Sequence, residues 1–290
     1  MVMPRNNSSF ERPGSGWRES FSRGWLILKI SFDVLKKHKS LMLFPLLSLL
    51  TQLVLMAVLL GMLLVDGQAG AGSILAVFAC FFLSYFIIVF FNVALAGSAI
   101  KALEELPVSV VDGLSMAYAR LSKIIAWSVF SSVVGALFSL LENVSERFGD
   151  SISGGLQVGW SVICYFVLPV IVMEGLSPSQ AIKRSASIIA CSPKEFAVGS
   201  LSLVLLSLAL FLPIFLIMGI ASGAMEDSFI GLSYDMIVWV VVLIAYSLFV
   251  HLVVSTLKTI FASTLYAYAI TSHPPSDLKE GTSEEPRSWP

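Results

Sequence analysis

Apolar residues in this chain arrive in long unbroken runs separated by short polar stretches. Six runs stand out: Leu41–Val65, Ser73–Ile100, Ile124–Leu141, Gly155–Met173, Phe196–Ser222 and Ile237–Ile270. A helix crossing a bilayer needs about 20 mostly apolar residues, because the hydrocarbon is roughly 30 Å thick and a helix rises about 1.5 Å per residue. The runs are continuous and do not alternate, which favours helix over barrel strand. Lipid offers no partner to a backbone amide, so each run is expected to close its own hydrogen bonds. The expected fold class is therefore all-α, a polytopic membrane helix bundle with six transmembrane helices. Pro169 and Pro213 fall inside the fourth and fifth runs, and each is expected to bend its helix. The last run is the longest. It is expected to leave the hydrocarbon near Lys258 and to continue as a wet or interfacial helix bearing Tyr266 and Tyr268. The first run is too long for the apolar core of a secretion signal and follows 40 residues, so it reads as an uncleaved span although Ala69-Gly70-Ala71 comes after it.

A different pattern occupies residues 17–40. Trp17, Phe21, Trp25, Leu28, Phe32 and Leu35 recur every three or four residues and share one helical face. Arg18, Arg23, Lys29, Lys36 and Lys37 fall mainly elsewhere around it. Such a helix suits the headgroup layer, with aromatics inward and cations toward anionic lipid. The competing reading is a cytoplasmic helix packed on the bundle. Ser109-Val110-Val111-Asp112-Gly113-Leu114 and Ser177-Pro178-Ser179-Gln180-Ala181-Ile182 also read as starts of amphipathic helices, with a capping serine and a fourth residue able to reach back. The chain parses into three units, each an interfacial helix followed by two spans. Residues 17–270 form one membrane domain in this reading. The flanking tails 1–16 and 271–290, rich in Ser, Pro, Gly and charge, are expected to be disordered.

Composition agrees with a lipid solvent. Hydrophobic residues make up 57% and charged residues 13%, against about 45–50% and about 25% in soluble domains. An ordinary soluble enzyme and a nucleic-acid-binding domain are excluded as main readings. The distribution of charge says more than its near-zero total. Seventeen of eighteen Lys and Arg residues fall in segments 1–40, 101–123, 174–195 and from Lys258 onward, on one side of the six-span map. The opposite loops, 66–72, 142–154 and 223–236, hold only Arg147 but seven acids. Basic loops stay in the cytosol. The expected location is the cell membrane, with a multi-pass topology and both termini cytoplasmic.

The stretch Tyr165-Phe166-Val167-Leu168-Pro169-Val170-Ile171-Val172-Met173-Glu174-Gly175, followed by Ala181-Ile182-Lys183-Arg184-Ser185, resembles the span-end signature of bacterial and archaeal multi-pass proteins. Those proteins are related to the membrane domain of glycerophosphodiester phosphodiesterases. Ser22-Arg23-Gly24-Trp25 and Phe91-Asn92-Val93-Ala94-Leu95 more closely resemble an uncharacterised six-span family of that general kind. The resemblance extends over most of residues 20–270 and implies the fold. Activity in those relatives belongs to a separate barrel domain, so it implies no catalytic residue here.

The motifs that carry chemistry are few. Cys80, Cys164 and Cys191 show no metal-ligand spacing, and the histidines His38, His251 and His273 are scattered. No Gly-x-Ser-x-Gly, His-Glu-x-x-His or Gly-rich phosphate loop occurs. No cofactor and no metal site is expected. Asn143-Val144-Ser145 matches a glycosylation sequon in a short outer loop. Ser247, His251 and Ser255 recur every four residues and Lys258 follows, forming a polar stripe on the last span. With Asn92 it reads either as a proton- or ion-sensitive pathway or as interhelical hydrogen bonding. Gln52 takes the second reading. Glu174 precedes the helix carrying Lys183 and Arg184. These three form either a local ion pair or a headgroup-binding anion site. Ser131, Gly135 and Ser139, Gly155 with Gly159, and Gly219 with Gly223 have the spacing of close helix contacts or a dimer seam.

Two functions compete. One is a non-enzymatic membrane protein that organises lipid or scaffolds partner proteins through its basic cytoplasmic helices. The other is a small transporter or channel using the polar stripe. An intramembrane enzyme acting on lipid ranks below both. The partners expected are the bilayer, anionic headgroups on its cytoplasmic side, and either a second copy or another membrane protein; nucleic acid is not among them.

Overall fold

The architecture comes from a computed structural model that describes residues 17–66, 71–144, 150–191, 193–224 and 234–272. The N-terminal tail, nearly all of the C-terminal tail, parts of the loops 66–72, 142–154 and 223–236, and the sequon serine therefore lie outside the described residues. Everything described is helix or short connection, with no strand among the described residues. The elements are α1 (Trp17–Lys37), a 3-10 turn (Lys39–Met42), α2 (Leu43–Asp66), α3 (Ala71–Leu103), α4 (Val110–Ala119), α5 (Leu121–Val144), α6 (Asp150–Ile163), α7 (Val167–Glu174), α8 (Pro178–Cys191), α9 (Pro193–Ala224) and α10 (Tyr234–Ser272). Six segments are long and apolar enough to cross a membrane: 39–64, 76–103, 121–140, 154–174, 196–218 and 238–270.

The core is concentrated at one end of the bundle, called here the base. Leu41, Phe44, Val93–Ala96, Met116, Ile124, Phe166, Val170–Val172, Ile260, Phe261 and Leu265 are almost wholly enclosed there. At the other end large apolar side chains project outward, among them Leu53, Leu60 and Leu64 of α2, Phe78 and Phe81 of α3, Leu208, Phe215 and Leu216 of α9, and Trp239 and Val241 of α10. That exposure is stable only in an apolar solvent. Within the apolar half the spans pair as hairpins. Gln52 Nε2 donates to the Ser84 carbonyl (2.6 Å) between α2 and α3, and Tyr246 Oη donates to the Leu210 carbonyl (3.0 Å) between α10 and α9. Trp127 of α5 stacks on Trp160 of α6, with centroids 6.3 Å apart.

The three amphipathic helices join the hairpins at the base. α4 packs on α3 and α8 packs on α7, in each case the span just before it. α1, the first described helix, packs on α9 and α10. Each amphipathic helix thus lies on the spans of the preceding unit, and α1 closes the series onto the last.

The two prolines act unequally, and two expectations are corrected. The fourth span departs from regular helix ahead of Pro169, more sharply than a bend: it is interrupted at Cys164–Phe166, between α6 and α7, around Tyr165, whose carbonyl Pro169 cannot bond. The freed amide of Phe166 donates to Ser185 Oγ of α8 (3.2 Å), while Pro169 sits in the first turn of α7, where an amide has no intrahelical acceptor anyway. α9 continues through Pro213. The end of α10 is not wet: Ile260 to Tyr266 are its most enclosed part, walled by α1, α3, α7 and α8. Its hydroxyls are satisfied locally, with Thr264 Oγ1 donating to the Ile260 carbonyl (2.8 Å) and Ser263 Oγ to the Thr259 carbonyl (2.9 Å). The apolar stripe of α1 is divided. Leu28 and Leu35 join Ile27 and Ser31 against the bundle, whereas Phe21, Trp25 and Phe32 face outward.

Candidate functional site at the base of the fourth span

Local sequence builds the corner between α7 and α8. α7 ends on Glu174, and Gly175 follows in the left-handed conformation (φ 63°), its amide donating to the Ile171 carbonyl (3.1 Å). Only glycine enters that region without steric cost. Ser177 and Pro178 then start α8. Gln180 Oε1 reaches back to accept from the Ser177 amide (3.2 Å) and from its hydroxyl (2.8 Å), so half of a capping box forms. The corner turns the chain back, which brings Arg184 to Glu174.

Glu174 Oε1 accepts from Arg184 Nε (3.0 Å) and from Tyr266 Oη (2.9 Å) of α10. Tyr266 is buried, and the ion pair is about one-quarter exposed, at the edge of the protein. Lys183 points outward and joins no ion pair. A third cation completes the corner. Arg120, at the junction of α4 and α5, donates from Nε to the Val172 carbonyl (3.4 Å). Its guanidinium lies so close over Gly175 that a Cβ there would meet Nη1 at 2.9 Å. Sequence reasoning missed Arg120, because nothing near it in sequence points to residues 172–175.

The polar stripe of the last span is not gathered into one place. His251 and Lys258 are exposed on the outer side of α10, and Ser247 and Ser255 are half-buried. Val250, Val254 and Leu257 face the interior instead. Asn92 reaches α10 one turn past Ser255, where its Oδ1 accepts from Thr259 Oγ1 (3.4 Å). Gly135, Gly155 and Gly159 face open space, so no helix of this chain uses their close-approach spacing. Close approach occurs at Gly199, where an added Cβ would overlap the Phe261 ring. Among the described residues, no three His, Cys, Asp or Glu side chains gather in a way that would hold a metal ion.

The chain matches a protein family described as a family of unknown function, DUF6159, over residues 71–276. It belongs to that family. No curated protein and no solved structure matches it. The match agrees with an uncharacterised family and shows no likeness to glycerophosphodiester phosphodiesterases. The matched segment of this DUF6159 member runs from α3 to the end of α10 and so contains every residue of the α7–α8 corner.

The Glu174 carboxylate is engaged by a cation and a phenol. Arg120 and Arg184 stand at the corner with one acid, Glu174, while Lys183 is exposed on α8.

Proposed function

We propose that this DUF6159 member is a non-enzymatic integral membrane protein that organises lipid, with its base and both termini on the cytoplasmic face of the cell membrane. The observation that carries the reading is the two-sided character of α1. One side, Gly24, Ile27, Leu28, Ser31 and Leu35, is locked against the bundle. The other presents Phe21, Trp25 and Phe32 beside exposed Lys29, Lys36 and Lys37, with Lys36 Nζ 4.6 Å from the centre of the Phe32 ring. Aromatic rings enter the acyl–headgroup boundary and lysines attract anionic phosphates, each cation near the surface contributing about 1 kcal/mol. Distant kinship with the membrane domain of glycerophosphodiester phosphodiesterases is proposed from the 165–175 and 181–185 motifs alone.

The test places an environment-sensitive dye at Trp25→Cys in the full-length protein, with native cysteines replaced, in nanodiscs of zwitterionic lipid with and without phosphatidylglycerol. The expected result is a blue shift that grows with anionic lipid and shrinks in Lys29→Gln/Lys36→Gln/Lys37→Gln. A dye that reports bulk water in both lipids sinks the reading. A second reading, transport, is favoured by the interrupted fourth span, since broken helices line substrate pathways in transporters. Flux through proteoliposomes that Ser185→Ala alters would support it.

A further inference from the structure

We infer that Arg120, held over Gly175 at the α7–α8 corner, binds the phosphate group of an anionic phospholipid; this rests on the lipid-organising reading and names the group recognised. Arg120 has five N–H donors, and the fold uses one, the long Nε contact to Val172. It forms no ion pair among the described residues. Glu174, the acid next to Gly175 in the chain, is already occupied by Arg184 and Tyr266 on one oxygen. A half-buried guanidinium without a carboxylate keeps its Nη donors for a ligand, and its fork geometry matches two phosphate oxygens. Gly175 makes the placement possible, because any side chain there would displace the guanidinium. Lys123 lies half-buried one turn along α5 from Arg120, and it too has no acidic partner. Exposed Lys183 adds positive charge from α8, where Arg184 is neutralised by Glu174. The base of a six-span bundle lies at headgroup depth, where the abundant anion is a phosphodiester with two acyl chains. The shared chemistry, phosphate oxygens on a guanidinium fork, also suits free phosphate, and the test separates the two.

The experiment uses the full-length protein, delipidated in a neutral detergent. Native mass spectrometry and titration read binding of dioctanoyl phosphatidylglycerol, dioctanoyl phosphatidylcholine and inorganic phosphate. Wild type is expected to bind phosphatidylglycerol at least ten-fold more tightly than either of the others. Arg120→Gln is expected to weaken it about ten-fold or more, and Gly175→Ala similarly. Arg120→Lys keeps the charge that faces the end of α7 and loses the fork, so it is expected to fold and to bind several-fold more weakly. Equal binding of inorganic phosphate overturns the lipid assignment. Wild-type affinity in folded Arg120→Lys, or no phosphatidylglycerol adduct on wild type, overturns the site. A Lys29→Gln/Lys36→Gln/Lys37→Gln variant with Arg120 intact keeps the adduct, so failure of the α1 reading and failure of this site are told apart.

Discussion

Glu174 is the acceptor on which three separate elements meet. Tyr266→Phe removes one donor to it and is expected to lower stability by about 1 kcal/mol, the net value of an ordinary hydrogen bond. Glu174→Ala leaves the buried Tyr266 hydroxyl and Arg184 without their acceptor, and about 1–3 kcal/mol is expected. Unfolding in mixed micelles checks both, and a Glu174→Ala loss no greater than that of Tyr266→Phe would show that the carboxylate is not the joint. Gly199→Ala tests packing rather than polarity. The added methyl overlaps Phe261, whose ring is itself held by Tyr165 at 6.5 Å between centroids, so about 1–3 kcal/mol of overpacking cost is expected. An unchanged melting temperature would mean that α9 and α10 slide apart freely. None of these contacts is local in sequence: Tyr266 lies 92 positions from Glu174, and Arg120 lies 52 from Val172. The Glu174–Arg184 pair was readable because a capped helix start between them fixes the return of the chain. Tyr266 and Arg120 arrive from other units of the fold, and no periodicity announces them.

At the level of elements, lipid makes some features legible and hides others. A long apolar run declares a span whatever its neighbours do, because the backbone must satisfy itself in hydrocarbon. The same solvent erases the sign of amphipathicity. In water the apolar face of a helix is the buried one, but in a bilayer both the lipid face and the core face are apolar. The Ser247–His251–Ser255 spacing therefore marked a stripe without saying which way it faced, and packing turned Val250 and Val254 inward. The fourth span shows a related limit. Proline was the visible irregularity and the helix is interrupted one turn ahead of it, but the serine of another helix that accepts the freed Phe166 amide was not visible. Ser185→Ala is expected to cost about 1–3 kcal/mol by leaving the enclosed Phe166 amide unpaired, whereas Pro169→Ala is expected to stay within about 1 kcal/mol. Thermal unfolding of the two variants in one detergent decides it; the reverse order would return the break to the proline.

The whole molecule is three helical hairpins sharing one packed base, and its closure depends on α1. This helix begins the described chain and packs on the two spans that end it. Ser31 Oγ lies 3.3 Å from Thr264 Oγ1, both residues buried, across a separation of 233 positions. Three hairpins held only by their own connections would leave α9 bound chiefly to α10 and α8, since the rest of its contact is with α1. On this view α1 is at once the outward aromatic surface and the strap that seals the third unit to the first. A cross-link tests the strap directly. In a background lacking Cys80, Cys164 and Cys191, Ser31→Cys with Thr264→Cys places two thiols where the hydroxyls now approach, within the reach of disulfide geometry. Mild oxidation is expected to close the pair within one chain and to raise stability by about 2–4 kcal/mol, because the bridge encloses most of the polypeptide. Cleavage at a protease site introduced after Arg147 should then give two fragments that stay joined on a non-reducing gel and separate when reduced. Fragments that separate without reductant, while either single cysteine alone remains reactive toward maleimide, would place α1 away from α10 and remove the closure on which the shared base depends.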